Sequence, residues 1–230
     1  MSERAPIRTA VPAALALAAA GLLLTGCGTA KDAGAPGDPS AAPPAAGTTA
    51  SAAATPSETA GSGTAKAAVP AGSLGGPGTA CPLPVSFSLA KDWKPKAVTP
   101  PADPDLAELT RQGPATIVCE IDAKPAGNIG FLRVWTAPKG SAKATLEAFV
   151  KAVKGSKGLA LTDIKAGALP AVEGSYSVYS ELLEETKESR TFAVETPKNT
   201  LLIELGGMDT EEYREMLPAY ELAKSTLKGR

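Results

Sequence analysis

Alternating apolar and polar residues divide the second part of the chain into short strands. The strand at 128–136 has Phe131 and Trp135 on one face and Leu132 and Val134 on the other. Apolar residues on both faces indicate a sheet that is covered on both sides. The predicted strands are 85–89, 115–122, 128–136, a weaker one at 159–166, and 172–178, 191–196 and 201–205.

Three segments have the periodicity or the start signals of helices. Asp103 and Pro104 form an N-cap and first-turn pair for a short helix that ends near Arg111. Ser141 is the predicted cap of a helix whose apolar positions recur at the helical spacing. Asp209 starts the last helix, which Pro218 is expected to kink or split. We therefore predict an α+β fold with a mostly antiparallel sheet and helices on both faces.

The N-terminus has the features of an export signal. Residues 10–24 form an uncharged run, shorter than the ~20 residues that span a bilayer. The run ends in Leu24, Thr25, Gly26 and Cys27, which resembles the lipobox of bacterial lipoproteins. This resemblance implies that residues 1–26 are a cleaved signal peptide and that Cys27 carries a diacylglycerol. An ordinary secretory signal and an uncleaved anchor remain the alternatives.

A linker is predicted from residue 27 to residue 79. Its residues 28–79 include 7 Pro and 10 Gly among 52 positions, and most of the others are Ala, Ser or Thr. This share exceeds the ~25–30% that is typical of low-complexity segments. The segment has too little apolar surface to offset the entropy of ordering a backbone. The predicted globular domain therefore covers residues 80–230.

Composition excludes several functional classes. Lys and Arg number 23 against 24 Asp and Glu, and the chain has no His. Near-neutral charge removes the electrostatic basis for nucleic-acid binding. The lack of His excludes Ser-His-Asp and Cys-His catalysis and His-ligated metals. We identify no catalytic or metal-binding residues, and we predict no cofactor beyond the lipid on Cys27.

Two cysteines remain when Cys27 is assigned to lipid. Cys81 and Cys119 would both be exported, and a cysteine pair in an oxidising compartment usually forms a disulfide. A structural disulfide is therefore predicted, and a pair of free buried thiols is the alternative.

Several features of residues 81–230 look like the LpqN-type lipoproteins of actinobacteria. They are the segment Phe87-Ser-Leu-Ala-Lys-Asp-Trp93, the central helix, the strand meander and the closing segment Tyr220-Glu-Leu-Ala-Lys-Ser225. The LpqN-type lipoproteins share the three-layer fold of the PsbP and Mog proteins. The resemblance implies a non-catalytic binding or assembly role, and it supplies no catalytic residues to transfer to this chain.

Arg133 is the strongest candidate for a binding residue. A guanidinium on a two-sided strand needs an anionic partner. The partner is either Glu120 or Glu204 on a neighbouring strand, or an anion in a pocket that Trp93 and Trp135 would share with Arg133. Simple placement of Arg133 at a strand end is the remaining alternative.

The expected function is that of a lipid-anchored extracytoplasmic lipoprotein of the cell membrane. Its domain would bind or help assemble another envelope component, which would be a protein, a wall polymer or a lipid. The alternative is a carrier of a small hydrophobic or lipid-like ligand. An enzyme that uses carboxylates is the least favoured hypothesis.

Overall fold

A computed structural model describes residues 66–230. The predicted signal peptide, lipobox, Cys27 and most of the predicted linker lie outside the described residues. The strands are β1 (Pro70–Leu74), β2 (Val85–Ala90), β3 (Lys94–Ala97), β4 (Arg111–Gln112), β5 (Ala115–Asp122), β6 (Gly130–Pro138), β7 (Ser156–Ala166), β8 (Leu169–Ser180), β9 (Glu185–Glu195), β10 (Asn199–Gly207) and β11 (Lys228–Gly229). The helices are α1 (Pro104–Ala107), α2 (Ala142–Lys151) and α3 (Thr210–Ser225).

The central layer is an antiparallel sheet of eight strands. Seven of them follow the order β3-β5-β6-β10-β9-β8-β7, and β4 pairs with β5 beside β3. Every pairing in this sheet is antiparallel. The long strands β7 to β10 form a meander whose register places alternate side chains on opposite faces.

One face of the large sheet packs against α3 and a small sheet with the order β1-β2-β11. The largest side chains in this core are fully buried, among them Phe87, Phe192 and Tyr220. The Phe192 and Tyr220 rings meet edge to face with centroids 5.4 Å apart. The apolar stripe of α3 therefore joins the small sheet in covering this face.

The other face packs against α2. Leu146, Phe149 and Val150 of this helix contact a second core that contains Trp135 and Leu202. The Trp135 and Phe149 rings meet edge to face with centroids 5.3 Å apart. The sheet thus has helices on both faces, and the predicted α+β three-layer class is confirmed.

The predicted caps of the two longer helices are present. Ser141 Oγ accepts from the backbone N–H of Ala144, and an Asp209 carboxylate oxygen accepts from that of Glu212. Pro218 lies inside a single helix, so of the two predicted effects, a kink or a split, the split does not occur. Residues on both sides of the proline, such as Tyr213 and Tyr220, are buried against the sheet, and this packing holds the two halves in one element.

The predicted boundary of the folded domain needs correction. Strand β1 lies before residue 80 and pairs with β2, and Leu74 at its end is buried. Residues 70–79 therefore belong to the fold, although their Gly and Pro content resembles that of the linker. The short strand β3, which follows Trp93, was also not predicted.

The predicted disulfide is present between Cys81 and Cys119, which are 38 residues apart in sequence. A loop of that length corresponds to about 4 kcal/mol of stabilisation in the chain-entropy model. None of the helices between residues 66 and 230 combines the length and apolar composition needed to cross a membrane.

Candidate functional site

Helix α2 covers only part of its sheet face. Glu120, Phe131, Arg133, Lys187 and Gly206 lie on the remaining part and are all partly exposed. We call this region, defined by those five residues, the open sheet face. It is formed by β5, β6, β10 and β9, which are neighbours in the large sheet. Its exposed charged and aromatic side chains make it the first candidate for a functional surface.

Strand register places three charged residues in one row across the open sheet face. Arg133 on β6 lies directly opposite Glu120 on β5 and Glu204 on β10. Arg133 Nε donates to Glu120 Oε1 at 2.9 Å, with side-chain exposures of 34% and 33%. The guanidinium also lies 5.1 Å from the centroid of the Phe131 ring. Arg133 is therefore fixed in place while part of it remains accessible.

Glu204 is the buried member of this row, with 9% of its surface exposed. Trp135 Nε1 donates to Glu204 Oε2 at 3.1 Å. Burial raises the pKa of Glu204, and the charges of Arg133 and Lys187 act in the opposite direction. The carboxyl group is thus held where its neutral form is favoured more than in water.

Tyr176 and Lys187 extend the polar cluster towards β8 and β9. The Tyr176 hydroxyl lies 3.1 Å from Thr191 Oγ1, and burial raises the pKa of Tyr176. Lys187 Nζ donates to the Gly207 carbonyl at 2.7 Å, and burial lowers the pKa of this lysine. Buried polar groups of the cluster therefore bond to each other or to backbone, as is usual in folded proteins.

A cleft borders the row on the side of β5. It has a volume of about 450 Å³ and lies between the segment 109–112 and the strands β5 and β6. Gln112 lines this cleft, and its Nε2 is buried without a hydrogen-bond partner among the described residues. The remaining lining residues are Val98, Leu109, Thr110, Arg111, Ile117, Glu120, Arg133 and Trp135. We call this site the Arg133 cleft.

The structure brings together two of the three residues predicted to share a ligand site. Arg133 and Trp135 both line the Arg133 cleft. Trp93 is buried in the other core, on the α3 side of the large sheet, so its predicted place in this site is wrong. The reason is topological, because β2, which precedes Trp93, belongs to the small sheet. The predicted ion pair of Arg133 forms with Glu120.

Sequence reasoning did not identify Gln112, Tyr176 or Lys187 as part of this region. Their positions depend on which strands are neighbours, and nothing local in the sequence marks them. Glu204 was accessible to sequence reasoning because it is the single acid within the apolar run 201–205.

The chemistry of the site is that of charge and hydrogen bonding. Glu120 is paired with Arg133, and Glu204 accepts from Trp135. Between residues 66 and 230, no group of three or more Cys, Asp or Glu side chains is arranged to hold a metal ion. The exposed donors of Arg111 and Arg133, together with the buried amide of Gln112, fit the recognition of an acceptor group on a bound molecule.

Several solved structures resemble the described domain, and two of them are CyanoP and LpqN. The PsbP homologue CyanoP of Synechocystis sp. PCC 6803 is 12% identical, with a TM-score of 0.46 over 69% of this chain and 98% of that chain. LpqN of Mycobacterium tuberculosis, described as involved in cell envelope biogenesis, is 15% identical, with a TM-score of 0.36 over 63% of this chain and 82% of that chain. No curated protein matches the sequence.

A protein family described as "uncharacterised lipoprotein" matches residues 49–227, which is more than half of the chain. The match extends over all of the layers described above, and it also includes part of the predicted linker. The chain therefore belongs to this lipoprotein family and is a membrane- or envelope-associated protein.

Proposed function

We propose that this lipoprotein is a non-catalytic binding or assembly module of the cell envelope. A diacylglycerol on Cys27 anchors it to the extracytoplasmic face of the membrane, and the linker carries the domain away from the lipid surface. The observation that carries the binding role is the open sheet face. Membership of a lipoprotein family and the sequence Leu24-Thr25-Gly26-Cys27 support the anchor.

The composition of the open sheet face supports a binding role. Interfaces are enriched in Arg, Met and aromatic residues, and here Arg133 and Phe131 are partly exposed. Ile129 and Met208 are exposed at the adjoining ends of β6 and β10, where Met208 N–H donates to the Ile129 carbonyl at 3.3 Å. Residues that are already held by pairing lose less entropy when a partner binds.

The carrier hypothesis has less support from the structure. It called for a pocket in which Trp93 and Trp135 would contact one ligand, and these residues lie in different cores. The enzyme hypothesis calls for carboxylates free to react, and the two acids beside Arg133 are engaged by Arg133 and Trp135. We therefore favour a binding module over both.

Photo-crosslinking in the native host tests this role. The full-length lipoprotein would carry a benzoylphenylalanine in place of Phe131, and a matched variant would carry it in place of Tyr179, an exposed aromatic near the tip of the β8–β9 hairpin. We expect discrete adducts with an envelope component from position 131 and none of these adducts from position 179. Adding Arg133→Gln should reduce the adducts from position 131. Identical adducts from both positions, or none from position 131, would contradict the proposal.

A further inference from the structure

We propose that the Arg133 cleft binds a small organic anion, in which a phosphate or carboxylate group is attached to an apolar body. This inference rests on the proposed binding function and names the ligand class for one site beside the open sheet face. Neither the lipoprotein family nor the anchor requires such a site. The donors, the charge and the apolar walls of the cleft favour such a ligand.

Two side chains that line the cleft have hydrogen-bond donors without an acceptor among the described residues. Gln112 Nε2 is buried and has no hydrogen-bond partner among the described residues. Arg133 donates through Nε to Glu120, and its terminal nitrogens bond no acceptor in the described part of the chain. A buried amide N–H without an acceptor destabilises the protein, and a bound group that supplies the acceptor removes this cost. An oxygen-rich anion would satisfy the amide and the guanidinium together.

The charge of the lining also favours an anion. Arg111 and Arg133 line the cleft with a single acid, Glu120. Arg111 lies 3.6 Å from Glu108, but both side chains are mostly exposed, so this pairing is weak. Glu204, which lies opposite Arg133 on β10, does not line the cleft, and its carboxylate accepts from Trp135 Nε1. One positive charge in the lining is thus left without an acidic partner in the cleft.

Apart from Thr110, the remaining residues of the cleft are apolar. Val98, Ile117 and Trp135 form its walls together with the exposed Leu109. Its volume of about 450 Å³ lies within the range of ~300–1,000 Å³ that is usual for small-molecule sites. An anionic group beside the arginines would leave an aromatic ring or short alkyl chain against these walls. Inorganic phosphate alone would reach the polar donors but would leave the apolar walls uncovered.

Two sources supply this chemistry, namely a lipid headgroup of the membrane and a soluble phosphate ester or carboxylate. Both present anionic oxygens next to an apolar group. The experiment therefore includes one arm for each source.

The two tryptophans of the chain provide a matched pair of reporters. Trp135 lines the Arg133 cleft, and Trp93 is buried on the opposite side of the large sheet. The full-length lipoprotein would be labelled with 5-fluorotryptophan, placed in phosphatidylcholine nanodiscs and titrated with phenyl phosphate while its ¹⁹F spectrum is recorded. Inorganic phosphate and phenol are the control ligands. We expect a saturable shift of the Trp135 resonance, an unchanged Trp93 resonance, and weaker binding of both controls.

Three variants connect the shift to the proposed contacts. Gln112→Leu and Arg111→Gln should each weaken phenyl phosphate binding about tenfold, the factor expected for one hydrogen bond to a charged group. Arg214→Gln removes an exposed arginine on α3 and should leave binding unchanged. Gln112→Leu should also keep or raise the melting temperature, because it removes a buried donor without a partner. If Gln112→Leu binds phenyl phosphate more weakly but keeps its melting temperature, the amide contacts the ligand and is not needed for folding.

A second arm replaces part of the phosphatidylcholine with phosphatidylglycerol. A Trp135 shift that appears with the anionic lipid alone, without phenyl phosphate, would assign the site to a lipid headgroup. Unchanged spectra in the lipid arm, together with a shift by phenyl phosphate, would assign it to a soluble ligand. Equal shifts of both tryptophans, no Trp135 shift in either arm, or full binding by Gln112→Leu would overturn the inference. The crosslinks from position 131 are scored separately, so the binding role would remain if this inference failed.

Discussion

Arg133 and Glu204 lie opposite each other across β6 and β10, but their surroundings differ. Arg133 is one-third exposed and is paired with Glu120, whereas Glu204 is buried under Trp135. A partly exposed arginine keeps its charge at little cost, and a buried carboxyl group is destabilised in its charged form. The two residues are therefore expected to respond differently to substitution and to pH.

Glu204→Gln should change how stability depends on pH. Burial raises the pKa of Glu204 above its ordinary value of 4.5, so the folded state binds a proton that the unfolded state has already lost. The contribution of Glu204 to stability is therefore complete at low pH and is lost as pH rises through the raised pKa. Glutamine cannot ionise and can still accept from Trp135 Nε1. The melting temperature of the variant relative to wild type should increase between pH ~4 and pH ~8.

Thermal unfolding monitored by circular dichroism at a series of pH values would measure this difference. A constant difference would show that folding leaves the pKa of Glu204 unchanged, and a difference that decreases with pH would show that Arg133 stabilises the ionised carboxylate. Either result would contradict the prediction.

Gly167 is the second residue whose replacement has a clear expected result. It forms the turn between β7 and β8 with a φ of +55°, and an added Cβ would overlap the carbonyl oxygen of Leu227. Gly158 provides a matched control, with a φ of +67° and no atom within 4 Å of its added Cβ. Gly158→Ala should cost about 1–2 kcal/mol, from the left-handed backbone alone. Gly167→Ala should cost more than about 3 kcal/mol, because backbone must also move.

Urea unfolding of the two glycine variants would separate the effects. Equal losses of stability would indicate that the turn shifts to accommodate the methyl group and that the contact with Leu227 is not restrictive.

At the scale of elements, α3 is fastened to the large sheet by charge as well as by apolar packing. Lys224 Nζ donates to Glu173 on β8 at 2.8 Å, and the two side chains are only 14% and 12% exposed. The Tyr220 hydroxyl donates to the same carboxylate at 2.8 Å. Glu173 thus joins two positions of α3, one helical turn apart, to the middle of the meander.

Lys224→Met should destabilise the fold by about 3 kcal/mol, because it leaves the carboxylate of Glu173 buried without its cation. Adding Glu173→Gln should recover much of that loss, since no buried charge then remains. Lys228→Met, which removes an exposed lysine near the C-terminus, should have little effect. Guanidinium unfolding of the wild type, Lys224→Met, Glu173→Gln and the double variant forms a double-mutant cycle, and Lys228→Met is the control outside it. Additive losses from the Lys224 and Glu173 substitutions would contradict the proposed coupling.

The elements that could be predicted from the sequence are those with a local cause. The alternation in β5 and β6 and the caps Ser141 and Asp209 depend on neighbouring residues, and they were predicted correctly. Strand β1 was missed because its partner β2 supplies the hydrogen bonds that its own composition does not favour. Trp93 and Trp135 both lie in or beside predicted strands, and nothing local in the sequence distinguishes their surroundings. Only the tertiary structure places them in different cores.

At the scale of the whole molecule, the family identifies a lipoprotein, and the mode of attachment is a prediction about Cys27. One acyl chain gives marginal membrane binding, and two give stable anchoring. Cys27→Ala should therefore move the protein from the membrane fraction to the soluble or secreted fraction. Fractionation of cells that express either form, followed by immunoblotting, would measure the change. Mass spectrometry of the wild type should find a diacylglycerol on Cys27, and membrane retention of the variant would contradict the predicted anchor.

The disulfide between Cys81 and Cys119 also affects how the domain would respond to mechanical force. A pull on the N-terminal end of the described chain would act first on β1, an edge strand that pairs only with β2. Once β1 had detached, the tension would reach Cys81 and pass through the disulfide to Cys119 in the large sheet. The segment between the cysteines, which are 38 positions apart, would not be drawn out, although fully extended it would add about 130 Å. Reduction of this one bond would therefore turn a short, limited extension under load into a long one.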